Sequence, residues 1–131
     1  MSQENVKVLR ASFDVWNTGD MTALGELFDT DAVVRPPARW PESGPFVGRD
    51  AAVRFFKQVR DAWEADLIEP ISDFVDAGDR VAVRFAWRAR GRGPAADMEM
   101  SAIARVRDGK MLSLDFCWDH ADALEAVGLL E

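Results

Sequence analysis

Between Val81 and Trp118 the apolar residues fall on every second position, and that period restricts the chain to folds containing an antiparallel sheet. Val81, Val83, Phe85 and Trp87 alternate with Ala82, Arg84, Ala86 and Arg88, the pattern of a strand with one apolar face. Met98, Met100, Ala102, Ala104 and Val106 alternate with Glu99, Ser101, Ile103, Arg105 and Arg107, and Asp108-Gly109 then gives a hairpin turn signal. The following strand, Met111 to Trp118, places Leu112, Leu114, Phe116 and Trp118 on one face and Met111, Ser113, Asp115 and Cys117 on the other. An earlier strand is expected over Ile68 to Phe74. Pro70 marks it as an edge strand or a bulge, since proline cannot donate a ladder hydrogen bond.

The first half of the chain keeps a helical period instead. Val6, Leu9, Phe13 and Trp16 recur at spacings of three and four, with charged residues between them. Asn17, Thr18 and Gly19 form a stop, and Asp20 is placed to cap a short second helix containing Leu24, Leu27 and Phe28. Ala32 to Arg35 reads as a strand halted by Pro36 and Pro37. Residues 36–48 hold four prolines and two glycines along with Trp40, Phe46 and Val47, so this loop is expected to fold back over apolar surface as a pocket lip. From Gly48 a third helix carries Ala52, Phe55, Phe56, Val59, Ala62 and Trp63 on a broad buried stripe, with Phe56 and Trp63 on one side of it. Residues 91–97 read as a turn or short loop, and Asp119 to Leu130 as a closing helix capped by Asp119. The expected order is helix, helix, strand, helix, four strands, helix.

A chain of 131 residues, 48% of them apolar, is expected to form one domain over 1–131 and to close its core without a disulfide or metal staple. Its 23 acidic and 16 basic side chains leave a net charge of −7, which argues against nucleic acid or anionic membrane as a partner. Cys117 is the only cysteine and reads as a reduced, packed thiol. The opening MSQENVKVLRASF has no basic leader, and no stretch nears the ~20 apolar residues that span a bilayer. The expected location is cytoplasmic.

Three segments, SQENVKVLRASFDVWNTGDMTAL, PPARWPESGPFVGRDAAVRFF, and VRDGK followed by a strand and DHADALEAVGL, together resemble the SnoaL-like branch of the nuclear transport factor 2-like superfamily. The resemblance covers nearly the whole chain. It implies an α+β fold in which a strongly curved mixed or antiparallel sheet wraps around helices to form a cone with an internal pocket. Such folds serve small-ring cyclases, steroid isomerases, epoxide hydrolases, dehydratases and non-catalytic transport proteins, so the fold alone leaves the function open. The steroid isomerases of this superfamily use a first-helix tyrosine. This chain has no tyrosine; its nearby rings are Phe13 and Trp16, and Ala102 of SAIAR stands where relatives often carry a histidine or carboxylate. An epoxide hydrolase of the related pattern needs an arginine clamped between two aspartates. Asp97 and Glu99 near Arg105 and Arg107 read instead as cross-strand surface salt bridges.

The candidate catalytic groups are Asp115, whose apolar neighbours would raise its proton affinity if a bulge turned it into the cone, with Asp119 in reserve and His120 as the one histidine. For each, a surface or packing role is the competing reading. The pool of ligand-binding side chains is Trp16, Trp40, Phe56, Trp63, Phe85, Trp87, Met98, Met100, Phe116 and Trp118, which supply more aromatic and thioether surface than catalytic equipment. No cofactor is indicated, and one cysteine with one histidine does not make a zinc site. The expected function is binding of a mostly apolar cyclic ligand. The alternatives are a lyase, isomerase or cyclase-like enzyme using a pocket carboxylate, and a non-catalytic dimeric interaction domain. A homodimer is expected through the outward sheet face, where arginines mix with Ala86 and Ile103.

Overall fold

The computed structural model describes residues 2–41, 44–63, 65–91, 96–126 and 128. The elements run α1 (Ser2–Thr18), α2 (Met21–Glu26), β1 (Phe28–Arg35), β2 (Phe46–Val47), α3 (Arg49–Asp61), β3 (Ala65–Pro70), β4 (Val75–Ala77), β5 (Arg80–Arg90), β6 (Ala96–Arg107), β7 (Lys110–Cys117) and α4 (His120–Ala126). The strands form one curled, unclosed sheet in the order β2-β1-β7-β6-β5-β3, with β4 also pairing β5. The β1–β7 pair is parallel and the other pairs are antiparallel, so the sheet is mixed. α1 and α3 pack into its concave side, where Leu9, Phe13, Trp16, Ala52, Phe55 and Phe56 join the inward residues of β1, β5, β6 and β7 in one buried cluster. Among the described residues no helix is long and apolar enough to cross a membrane.

Tertiary partners shift several boundaries from their expected places. Asp20 caps α2 as expected, accepting the Ala23 N–H at 3.0 Å, but the helix stops before Leu27 and Phe28. Phe28 instead opens β1 opposite Met111 of β7. The Leu27 carbonyl accepts the Met111 N–H at 2.8 Å, while Arg49 donates two bonds to the Phe28 carbonyl. These non-local bonds outweigh two more residues of a short helix whose stability depends on packing. α3 likewise ends at Asp61, leaving Trp63 beyond its cap.

The strand expected over Ile68 to Phe74 begins earlier and ends at Pro70 as β3; residues 71–74 form a loop, and a further short strand, β4, follows at Val75–Ala77. Pro70 is the last residue of β3, the edge strand, facing Phe85, where a missing N–H does least harm. After α3, five strands therefore replace the four expected. Of the turn expected over 91–97, residues 92–95 lie outside the described residues while Ala96 and Asp97 already open β6; the closing helix expected to reach Leu130 ends at Ala126, with Gly128 in a turn and 127, 129 and 130 outside the described residues.

The alternation expected in β7 is interrupted once. Ser113 to Cys117 pair in regular register with Ser101 to Arg105, but the pairing then shifts so that Met111 faces Val106. This bulge brings Met111 and Leu114, three apart, into the same buried core, which an unbroken two-residue period forbids. Leu112 is thereby displaced from the inward set. The bulge lies at the start of the strand, away from Asp115, whose outward register is preserved.

α4 lies on the outer face of the sheet. Ala123 and Ala82 form a small second cluster with Val75, Ala77, Ile103 and Cys117 packed on it. Part of the outward apolar surface assigned above to a dimer contact is thus covered by the chain's own last helix, and Ala86 is also buried within one copy. The expected pairing of Asp97 and Glu99 with Arg105 and Arg107 does not occur among the described residues, because all four lie on β6. Glu99 meets Arg84 at 3.7 Å and Arg105 meets Asp79 at 3.1 Å, across to β5 and its preceding turn.

Candidate ligand-binding cavity

The stripe that makes α1 amphipathic also aims Ser12, Phe13 and Trp16 into the cone, and the stripe of α3 contributes Phe55, Phe56 and Val59. The sheet adds Ile68 from β3, Phe85 and Trp87 from β5, Met100 from β6, and Leu114 and Phe116 from β7; α2 adds Leu24. Pro37 and Trp40, in the loop after β1, complete the wall, so part of the proline-rich segment does fold back over the mouth of the cone. The cavity has a volume of about 90 Å³.

Edge-to-face contacts hold the aromatic wall. Phe13 meets Phe85 with centroids 5.2 Å apart, Trp16 meets Phe56 at 5.8 Å, and Phe116 meets both Phe56 and Phe85. Trp40 leans on Trp87 at 6.0 Å and on Trp118 at 6.3 Å. Such pairs add to the burial energy and orient the rings. Asn17 anchors the end of α1 to the sheet edge: its amide donates to the Ile68 carbonyl at 2.9 Å and accepts the Ile68 N–H at 2.8 Å. That two-way bond sets the distance between Trp16 on the helix and Ile68 on the strand.

Behind this wall sits a polar arrangement that the residue pattern did not single out. Asp66 on β3 has a side chain only 2% exposed. It accepts the Trp87 indole N–H on Oδ2 at 3.0 Å, and its Oδ1 lies 3.5 Å from Arg60 Nη1. The Arg60 guanidinium also donates to the Trp16 carbonyl at 2.6 Å and lies 5.0 Å from the centre of the Trp16 ring. One carboxylate and one guanidinium, both outside the lining, therefore brace two of its tryptophans. In sequence the only signal was a charge in an otherwise ordinary strand, indistinguishable locally from a solvent-facing residue.

Of the expected ligand-binding pool, the cavity gathers Trp16, Trp40, Phe56, Phe85, Trp87, Met100 and Phe116. Trp63, Met98 and Trp118 are half-buried against the same core but are not part of the lining. Trp63 supports Trp87 from outside, with centroids 5.4 Å apart, and the Trp118 indole N–H is taken by the Ala38 carbonyl. The expected pool lacked Ser12, Phe13, Leu24, Pro37, Phe55, Val59, Ile68 and Leu114, because helical and strand periods mark an inward face without saying where along it a cavity remains.

The three candidate catalytic groups lie off the lining. Asp115 sits on the outer face, paired with Arg35 at 3.0 Å and 38% exposed. Asp119 is exposed and caps α4, accepting the Ala121 N–H at 2.8 Å. His120 places Nδ1 2.8 Å from the hydroxyl of Ser101, a fully buried residue of the outer sheet face, and does not bond Asp119. Burial, helped by the Arg84 charge and opposed by Asp119, pulls the His120 pKa below its ordinary value. Burial and the nearby carboxylates of Asp122 and Asp119 push the Cys117 thiol up, which keeps it protonated and unreactive at neutral pH. This cluster is separated from the cavity by the sheet.

The SnoaL-like domain family matches this sequence over residues 9–114. Several solved structures share the fold. TerC, crystallised with polyporic acid, superposes with a TM-score of 0.77 at 20% identity, covering 95% of this chain and 98% of its own. Bal32a, from a soil-derived mobile gene cassette, gives 0.80 at 22% identity and covers 88% of both chains. A proposed polyketide cyclase from Sinorhizobium meliloti gives 0.69 at 26% identity, over 84% of this chain and 93% of that one. No curated protein matches by sequence.

Proposed function

Because this chain belongs to the SnoaL-like domain family, we propose that it is a small-molecule-binding domain whose cone takes a mostly apolar cyclic ligand. The observation that carries this reading is the chemistry of the lining: among the described residues, fourteen apolar side chains and one serine. Preformed apolar concavities with few polar groups are the usual form of small-molecule sites. TerC, crystallised with polyporic acid, and the relative proposed as a polyketide cyclase give this reading support from the same fold.

Turnover by a pocket carboxylate, the second reading, requires an acid or base within hydrogen-bond reach of the ligand, directly or through one water. Among the described residues, no aspartate, glutamate or histidine belongs to the lining, and Asp66, the nearest buried carboxylate to it described above, is already engaged by Trp87 and Arg60. Binding is therefore the better-supported function. Native mass spectrometry of the purified protein against a library of small ring compounds tests it, followed by chromatographic and spectroscopic analysis of each captured compound. Stoichiometric capture with the compound released unchanged is the expected result. A transformed product would overturn the binding-only reading in favour of an enzyme, and no capture of any ring compound would overturn the proposal.

A further inference from the structure

Among the described residues of the cavity wall, all but Pro37 and Trp40 sit on helices or strands, where backbone hydrogen bonds hold them in place. These two belong to the loop after β1. There the Pro37 carbonyl accepts the Trp40 N–H at 3.1 Å and closes a four-residue turn. Arg39, its third residue, is the only one of the four with a positive φ, 66°, which makes this a type II turn. That position favours glycine, the residue without a Cβ to clash, so an arginine there strains the closed turn. Among the described residues, one hydrogen bond ties the turn to the rest of the protein: the Trp118 indole N–H donates to the Ala38 carbonyl at 2.8 Å. Trp118 is itself fixed just past the end of β7, where its carbonyl accepts a bond from Arg84 of β5 at 3.0 Å.

We infer that the turn from Pro37 to Trp40 is a lid on the cone, held shut by Trp118 and poised to open. The Trp40 ring, packed on Trp87 and Trp118, and the bond to Ala38 favour the closed turn. The left-handed backbone at Arg39 opposes it and relaxes when the turn lifts. Opening therefore costs less than disturbing any helix or strand of the wall, which would break backbone hydrogen bonds without relieving strain. Lifting the turn removes Pro37 and Trp40 from the wall and gives a ligand a way in while the sheet and the helices stay folded. Trp118 is thus a positioning residue: it stands outside the lining and acts through Trp40. The lid serves the ligand-binding reading above, but it opens in the free protein, so its failure and a failure to capture ring compounds are separate results.

Trp40 carries its own reporter. Its indole Nε1 is buried with no hydrogen-bond partner among the described residues, so its proton exchanges with water when the lid lifts. Hydrogen–deuterium exchange of this N–H is followed by NMR in the free wild type, W118F and R39G, over a series of urea concentrations below the unfolding transition, with the signal assigned by its loss in W40F. Opening of a lid exposes little surface, so the wild-type Trp40 rate should stay flat across the series, whereas exchange through global unfolding rises with the full m-value. W118F deletes the latch but keeps a ring beside Trp40; it should speed this flat exchange about three- to tenfold, the range of one neutral hydrogen bond. R39G relieves the strain at an exposed position and should slow it about two- to fivefold, the left-handed penalty less the freedom glycine gains in the open turn. Wild-type Trp40 exchange that rises with urea along the global slope would overturn the lid, as would a rate that neither variant changes. If W118F does not fold, the wild-type urea series and R39G decide.

Discussion

Trp87 offers the sharpest test of how this cone is held, because one side chain does two separable jobs. Its ring is 4% exposed, lines the cavity and contacts Trp40 and Trp63. Its N–H is a hydrogen bond to a carboxylate that has almost no access to water. Trp87→Ala removes both, and truncation of a buried aromatic alone costs about 3–5 kcal/mol. Trp87→Phe keeps most of the ring and deletes the donor, leaving Asp66 Oδ2 without that partner. A hydrogen bond to a charged group contributes about 1.5–3 kcal/mol, so W87F is expected to cost about 2–3 kcal/mol once a small packing loss is included. Against the ~5–15 kcal/mol typical of a whole domain, either change is large. Urea denaturation of the wild type, W87F, D66A and the double variant measures it, provided the m-value stays constant. The coupling between the two sites should be about 1–2 kcal/mol. A W87F cost below about 0.5 kcal/mol at unchanged m, or a coupling near zero, would refute the claim that Asp66 holds the tryptophan wall in place.

Four further outcomes follow from the same geometry. Asn17→Ala removes both bonds to the Ile68 backbone and should cost about 1–3 kcal/mol in urea titration, where a loss below about 0.5 would show that the helix does not depend on this anchor. Asp115→Asn breaks only a half-exposed pair with Arg35, so it should change stability by less than about 1 kcal/mol and leave the capture of ring compounds in native mass spectrometry unchanged; weakened capture would place the carboxylate at the ligand after all. The His120 pKa is lower in the folded protein than its ordinary 6.5, so on acidification the unfolded chain binds the proton first. Its contribution is present above about pH 6.5 and lost as pH falls through the lower folded value; the wild type should therefore lose more thermal stability than H120Q between pH 7.5 and 5.5, and parallel curves would contradict this. The outer surface of β3, which α4 does not cover, displays Leu67 at 59% exposure, so light scattering is expected to find a homodimer that L67E converts to monomer; a wild-type monomer at micromolar concentration counts against pairing there.

Short-range pattern was enough to establish the helices and the long strands, because α1, α3, β5 and β6 each bury a face whose period is written in consecutive residues. The two-residue alternation from Val81 to Trp87 and from Met98 to Val106 also fixed which faces of β5 and β6 point inward, but the register that pairs them, Phe85 opposite Met100, is one of several that keep those faces together and was decided by the tertiary structure. The same reasoning assembled most of the aromatic pool that lines the cone. It could not separate Trp40 from Trp118, or Phe56 from Trp63, because whether an inward ring touches empty space or a neighbour depends on where a curved sheet, two helices and a loop happen to meet. Tertiary structure alone decided three further things. The bulge at the start of β7 brought Met111 inward and left Asp115 outside. Partners more than twenty residues away drew Phe28 out of a helix and into β1. Asp66, which any local rule assigns to solvent, was buried because Arg60 and Trp87 arrive from α3 and β5 to meet it. In each case the free energy lies in contacts between segments distant in the chain, and a period read over neighbouring residues carries no information about them.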